Sequence, residues 1–401
     1  MTAITPAWSG REYLQTHPWI NFNVDISKFS HSTWLLLGEA ESKCAHVAGV
    51  PLRPEVARKL HMIYLSKGIH GTAAIEGNTL SVEEVEARVE EKLDLPPSRE
   101  YLGTEIDNIL DACNRIVSDV IDGIPAPLTP ERIKYFNRQI LADLPLKEGV
   151  VPGEVREHSV GVGNYKGAPA EDCDYLLGEL CGWLERIDDL IANGQEELRF
   201  TLVIVKAVLA HLYIAWIHPF GDGNGRTARL IEFELMVRAG IPLPAAHLLS
   251  DHYNRTRDMY YIELDRTSRG EFPLEPFIRY ALRGFVDELR EQLGVIREEQ
   301  MEVTWENWVH SRFHDHETVA GRRQKHLVLD MPKGQVVPIG KLREVSTRVA
   351  LEYSSKTSKT VTRDVNKLED LELVRRVRGG VIANREKIEA FLPVKSPDGH
   401  V

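Results

Sequence analysis

One string, His218-Pro-Phe-Gly-Asp-Gly-Asn-Gly-Arg-Thr-Ala-Arg229, constrains this chain more than any other feature. It sets a glycine-rich turn between two helical patterns, Glu197–Trp216 before it and about Asn224–Ala239 after it. Gly223-Asn224-Gly225 opens the second helix. Glycine lets a backbone approach a ligand closely, and the free N–H groups of a helix start attract anions. Arg226 and Arg229 lie three apart and share a helix face, and guanidinium groups grip phosphate oxygens in pairs. Asp222 is a hard oxygen ligand beside that site, suited to Mg²⁺ shared with phosphates. His218 can take up a proton near neutral pH, and Phe220 is the expected anchor of the loop. Singly, a histidine at a helix end or a Gly-x-Gly turn is ordinary. Together these residues describe a nucleotide polyphosphate site with a base beside it. The matching chemistry is attack of a hydroxyl on phosphorus. No G-x-x-x-x-G-K-[ST] string occurs, so a P-loop is not the explanation.

Helical patterns recur elsewhere. Pro54 starts one, supported by Val56, Leu60, Ile63 and Tyr64. It is expected to run, with or without a break near Gly68–Gly71, to Gly77-Asn78. Ser81 with Glu84 forms a capping-box pattern that opens another helix. Further patterns cover Glu105–Asp119, Pro130–Leu141 and Glu171–Asn193. The run Val160-Gly-Val-Gly-Asn-Tyr165 is short, alternating and glycine-rich, and reads as a hairpin.

At 401 residues the chain should hold more than one domain. The expected divisions are 1–122, 123–294 and 295–401. With 27% charged residues and a net charge of −11, the whole chain is no polybasic nucleic-acid or membrane binder. No signal peptide is apparent, and Thr201–Ile217, interrupted by Lys206 and His211, reads as too short and too polar to span a bilayer. Cys44, Cys113, Cys173 and Cys181 form no C-x-x-C pair, which suggests a reducing compartment and makes the cytoplasm the expected location. From Lys333 to Glu389, 13 basic residues face 8 acidic ones, a local net of +5. There the order is helix (Ile339–Tyr353), helix (Lys356–Leu371) and two β-prone runs, Val374–Val377 and Val381–Ala383. That is the order of a winged helix-turn-helix. Thr357, Lys359, Thr360 and Arg363 are expected outward, toward DNA, with Val361, Val365 and Leu368 inward. The competing use of such a domain is protein contact.

The string His218–Arg229 resembles the Fic family signature, H-P-F-x-[DE]-G-N-G-R-x-x-R, at every specified position. The resemblance covers roughly residues 60 to 290. It implies a mainly α fold, a Fic-fold helical bundle with a β-hairpin flap, to which the winged helix-turn-helix is added. It also implies AMPylation: transfer of AMP from ATP to a Tyr, Thr or Ser hydroxyl of a protein substrate, releasing pyrophosphate. Carried over by position, His218 would be the base and Asp222 the Mg²⁺ ligand. Gly223, Asn224 and Gly225 would form the anion hole, with Arg226 and Arg229 on the outer phosphates. Asn254 and Tyr261 would lie on the adenine side. The flap, Val160, Gly161, Val162 and Gly163, would align the target by strand addition.

Thr72-Ala-Ala-Ile-Glu-Gly77 resembles the family's inhibitory motif, [ST]-x-x-x-E-[GN], in the subgroup that carries it N-terminal to the core. A glutamate at a helix C-terminal end opposes the macrodipole and calls for a cationic partner. The resemblance implies Arg229 as that partner, so that Glu76, framed by Thr72 and Gly77, blocks the γ-phosphate. The residues leave open a transferase using another nucleotide, a deAMPylase, and a nucleotide-sensing transcriptional regulator. The resemblance also admits a homodimer.

Overall fold

The repeated helical patterns become helices along most of the chain. The structure is a computed structural model that describes residues 10–124, 127–162, 165–193, 196–268, 274–314 and 318–389. The chain divides into two compact units, Met1–Leu293 and Gly294–Val401. In the first, α1 (Tyr13–Thr16) and α2 (His31–Gly49) lead to α3 (Pro54–Ala74), α4 (Val82–Val89), α5 (Glu100–Ile121) and α6 (Pro130–Ile140). A short antiparallel hairpin, β1 (Gly161–Val162) and β2 (Tyr165–Lys166), follows. Then come α7 (Cys173–Ala192), α8 (Arg199–Ile217), α9 (Asn224–Arg238), α10 (Leu243–Ala246), α11 (Leu248–Arg255) and α12 (Arg257–Ser268). Helix α13 (Glu275–Arg312) begins in this unit and continues past its boundary.

Helix α8 is buried at every residue from Thr201 to Ile214. A helix apolar all round belongs at the centre of a core. Within that buried stretch Lys206 reaches Asp188 at 2.6 Å. By length and composition Glu196–Ile217 is apolar enough to cross a bilayer, with mean hydropathy 2.0, contrary to the reading from sequence. In this fold 89% of its apolar 18-residue window is buried against its neighbours. Helix α9 packs along α8, so the loop between them, residues 218–223, sits where two core helices turn back on each other.

Helix α3 runs without a break through Gly68 and Gly71. Those glycines mark a close approach by the α10–α11 region. A Cβ on Gly68 would lie 2.7 Å from the His247 ring, and one on Gly71 would lie 2.5 Å from the Ser250 carbonyl oxygen. A backbone oxygen cannot swing aside, so Gly71→Ala should destabilise the first unit by about 1–3 kcal/mol, read as a lower midpoint in thermal or urea unfolding. Ser81 and Glu84 form the expected reciprocal capping box on α4.

The second unit holds α14 (Val319–Leu329), α15 (Thr347–Tyr353), α16 (Ser358–Asp370) and a hairpin of β3 (Val374–Val377) and β4 (Gly380–Ala383). The single helix expected over Ile339–Tyr353 is instead a 3₁₀ turn, Ile339–Glu344, followed by α15. Ser346 divides them, because its hydroxyl caps α15 by accepting from the Val349 N–H at 3.1 Å. Helix α14 was not legible in the sequence. It is tied in by a buried carboxylate: Asp364 on α16 accepts from Arg323, Gln324 and Tyr353 at 2.9, 2.8 and 3.0 Å. Val361, Val365 and Leu368 face the core, while Thr357, Lys359 and Arg363 are exposed and Thr360 is half-exposed.

Candidate active site

Helix α8 ends at His218, which closes the last turn by donating its N–H to the Ile214 carbonyl and then turns left-handed at φ 51° and ψ 55°. That conformation costs a residue with a Cβ roughly 1–2 kcal/mol, and the loop offsets it by local bonding. Asn224 closes the loop on itself. Its side chain accepts from the Phe220 N–H at 2.9 Å and donates to the Phe220 carbonyl at 2.8 Å. Phe220 is buried, as expected. The Asn224 amide is thus engaged inside the loop, and only its backbone faces the helix start. Gly223 adopts φ 75°, which favours glycine. Behind it, Asn137 on α6 donates to the Asp222 carbonyl at 3.0 Å.

The His218 Nδ1 lies 3.3 Å from the Ala215 carbonyl. A carbonyl only accepts, so Nδ1 carries the proton and Nε2 keeps its lone pair. Burial pushes the ring down to about 4, and the Arg156 charge acts in the same direction; the Ala215 carbonyl, Glu76 and Asp222 pull the other way. The ring is therefore neutral and able to accept a proton at physiological pH.

Two buried guanidinium groups stand on one face of the first turns of α9. Arg226 donates to Glu105 on α5 at 2.5 Å and to Asp222 at 2.9 Å. Arg229, 1% exposed, donates through one nitrogen to the Thr72 carbonyl at 2.9 Å and to Glu76 Oε1 at 2.7 Å. Its Nε and Nη1, and the Nε of Arg226, are buried with no protein acceptor among the described residues. Glu76 follows the end of α3, and its carboxylate lies directly over Gly225, where a Cβ would collide with it. Burial opposes the Glu76 charge, but Arg229, Arg226 and His218 outweigh it and hold the carboxyl below its ordinary range. A carboxylate thus occupies the anion-attracting start of a helix.

The flap stands beside this loop. Arg156 donates to the carbonyls of His218, His158 and Ala168 at 2.8, 2.7 and 2.5 Å. Tyr165 donates to the Trp216 carbonyl at 2.7 Å. Val160, Gly161 and Val162 belong to the first arm, and Gly163 lies outside the described residues. Gly77 turns at φ 106° just after Glu76. Tyr261 is half-buried on α12 and close enough to Arg229 to influence its charge. Asn254 points elsewhere: it lines a recess with Lys67, His70, Asp251, Arg255 and Glu291, because its face of α11 turns toward α3 and α13.

Several residues of the site carried no sequence signal. Glu105, which holds Arg226, is itself held by Asn78 at 2.9 Å. His211, one helical face back from His218, joins Glu232 at 3.1 Å and Tyr260 at 2.9 Å, and Tyr253 donates to Glu232 at 3.0 Å. All four are buried, so this network clamps α8, α9, α11 and α12 behind the loop. Glu232 three residues after Arg229 was the available clue, an acid on a face that must be buried.

Comparison with known proteins matches residues 127–236 to the Fic/DOC family and residues 338–387 to the DeoR-like helix-turn-helix domain. The protein adenylyltransferase fic-1 of Caenorhabditis briggsae is 25% identical over 262 residues, covering 65% of this chain and 46% of that protein. The protein adenylyltransferase Fic of Nematostella vectensis is 30% identical over 216 residues, covering 54% and 45%. The chain thus spans less than half the length of these relatives. A Fic family protein from Desulfovibrio desulfuricans shares the fold, with a TM-score of 0.52 at 20% identity over 88% of this chain and 93% of that one. A Fic domain containing signalling protein from Bacteroides thetaiotaomicron gives 0.50 at 21% identity over 67% and 98%. This chain carries a Fic/DOC domain over residues 127–236, followed by a DeoR-like helix-turn-helix domain over residues 338–387.

Proposed function

We propose that this chain is an autoinhibited protein adenylyltransferase. The observation that carries the reading is the convergence of a neutral, half-buried His218 with two buried arginines at one helix start, closed off by the Glu76 carboxylate. The named relatives support adenylyl transfer as the reaction type. In this reading a target hydroxyl gives its proton to His218 Nε2. Its oxygen attacks the α-phosphorus of ATP, the Pα–O–Pβ bond breaks, and the electron pair leaves with pyrophosphate. The free N–H groups of Arg226 and Arg229, with the backbone at Gly223–Gly225, stabilise the departing charge. Asp222 would hold Mg²⁺. A lone carboxylate suits an ion bound chiefly through phosphate oxygens, and no cluster of three or more ligating side chains occurs among the described residues. When bound, the ion would neutralise phosphate charge. The four cysteines are free and buried, which supports the cytoplasm as the location.

The test is label transfer in the Glu76→Gly protein. ATP labelled in its α-phosphate should mark protein, and ATP labelled in its γ-phosphate should not. Marking by the γ-phosphate would make the chain a kinase and overturn the reading. If neither marks protein, while UTP, GTP or CDP-choline does, the nucleotide assignment is wrong.

The same proposal gives the second unit a DNA-binding role. Lys359 and Arg363 project freely from α16, whereas Arg375 and Arg376 of the hairpin are engaged by Glu386 and Glu369. In the full chain, Lys359→Ala with Arg363→Ala should reduce the salt slope of duplex binding by about 2. Absent or salt-independent binding by the wild type would sink this role.

A further inference from the structure

We propose, resting on the transferase reading, that Arg156 is a positioning residue for the reaction, fixing the base of the flap to the backbone of His218. Its three guanidinium contacts are all carbonyls: His158 before the first arm, Ala168 after the second, and His218 itself. No other side chain among the described residues bonds both flanks of the hairpin and the catalytic loop. The backbone reinforces the arrangement. Arg156 donates its N–H to the Pro219 carbonyl at 3.0 Å, and Ala168 donates to the Ile217 carbonyl at 3.2 Å. Val155 forms an antiparallel bridge with Phe220. Residues 217–220 are therefore held between the two ends of the flap segment.

The fit leaves no slack. A Cβ on Gly167 would lie 2.8 Å from the His218 Cβ and 3.0 Å from Arg156 Nη2, so glycine lets the second arm close onto the ring. His218 is left-handed, and its carbonyl is the atom Arg156 holds. Turning that peptide would swing the imidazole. The flap, which would present the hydroxyl by strand addition, and the ring, which would take its proton, thus share one anchor. Lysine keeps the charge but offers a point donor in place of a planar fork. It cannot reach three carbonyls spread over both flanks of the hairpin and a loop.

The experiment compares Arg156→Lys and Arg156→Gln, each in the Glu76→Gly protein, by the rate of AMP added to the chain itself and by hydrogen exchange. Both should lower kcat by about 10–100-fold, since small misplacements of reacting groups have effects of that size. KM for ATP should stay within about twofold, because the phosphate groups sit on α9. Exchange should quicken at 158–162, 165–168 and 217–220 and stay unchanged in α8 and α9. Full rate in the lysine variant would overturn the proposal by showing that charge suffices. So would unchanged exchange at the flap base, or loss of protection throughout the first unit. If Glu76→Gly alone adds no AMP, the transferase reading fails separately, and exchange in wild type against Arg156→Lys still decides whether Arg156 joins flap and loop.

Discussion

On the proposed reading, Glu76→Gly should raise adenylyl transfer by about 100-fold or more at matched ATP and Mg²⁺. Glu76 does two things that ATP would have to undo. It takes up Arg229, whose remaining N–H groups point at no protein acceptor among the described residues, and it lies over Gly225 at the start of α9. A γ-phosphate and this carboxylate compete for the same guanidinium. ATP bound beside the carboxylate would be displaced, and a displacement near 1 Å at the reacting centre costs about 100-fold. The effect should appear chiefly in kcat, because misplacement of the reacting phosphorus slows the transfer step. Glu76→Gln is the informative companion. It keeps the shape but loses the charge, so its rate should fall between wild type and Glu76→Gly.

His218→Ala in the Glu76→Gly protein should lower transfer by about 10²–10⁴-fold, the usual contribution of a positioned general base. ATP affinity should stay close to that of Glu76→Gly, since the ring is not part of the phosphate site. The pH profile carries a second mark. The ring must be neutral to accept a proton, and burial lowers it to about 4. Activity measured as kcat/KM should therefore stay level as pH falls from 8 to about 5 and decline only below that. Removing Glu76 takes away a group that raises the ring, so the acid limb does not move upward. An inflection near the ordinary histidine value would mean that the base is solvent-exposed or is another group.

The twelve-residue loop was legible because its logic is local. Turn, helix start and paired arginines are all fixed by spacing within one stretch. The N-terminal inhibitory position was legible through resemblance, and its partner Arg229 lies 153 residues away in the chain. What escaped was set by distant neighbours. Gly68 and Gly71 left a helix break open, but they serve the approach of His247 and Ser250. Arg156 lies in no motif of the sequence, and its partners become apparent only once residues 158, 168 and 218 come together. Glu105 supports Arg226 from 121 residues away. Asn254 had no tight motif to fix its register, and it faces another recess. In the second unit, α14 is held by a buried Asp364 whose partners lie on two other helices.

The central claim is that one carboxylate restrains a transfer site whose base is His218. Intact-mass spectrometry of wild type, Glu76→Gly and Glu76→Gly with His218→Ala, each incubated with ATP and Mg²⁺, tests it most directly. The account predicts the mass of AMP on Glu76→Gly, little on wild type and none on the double variant. Equal addition to wild type and Glu76→Gly, or addition that persists without His218, would contradict it.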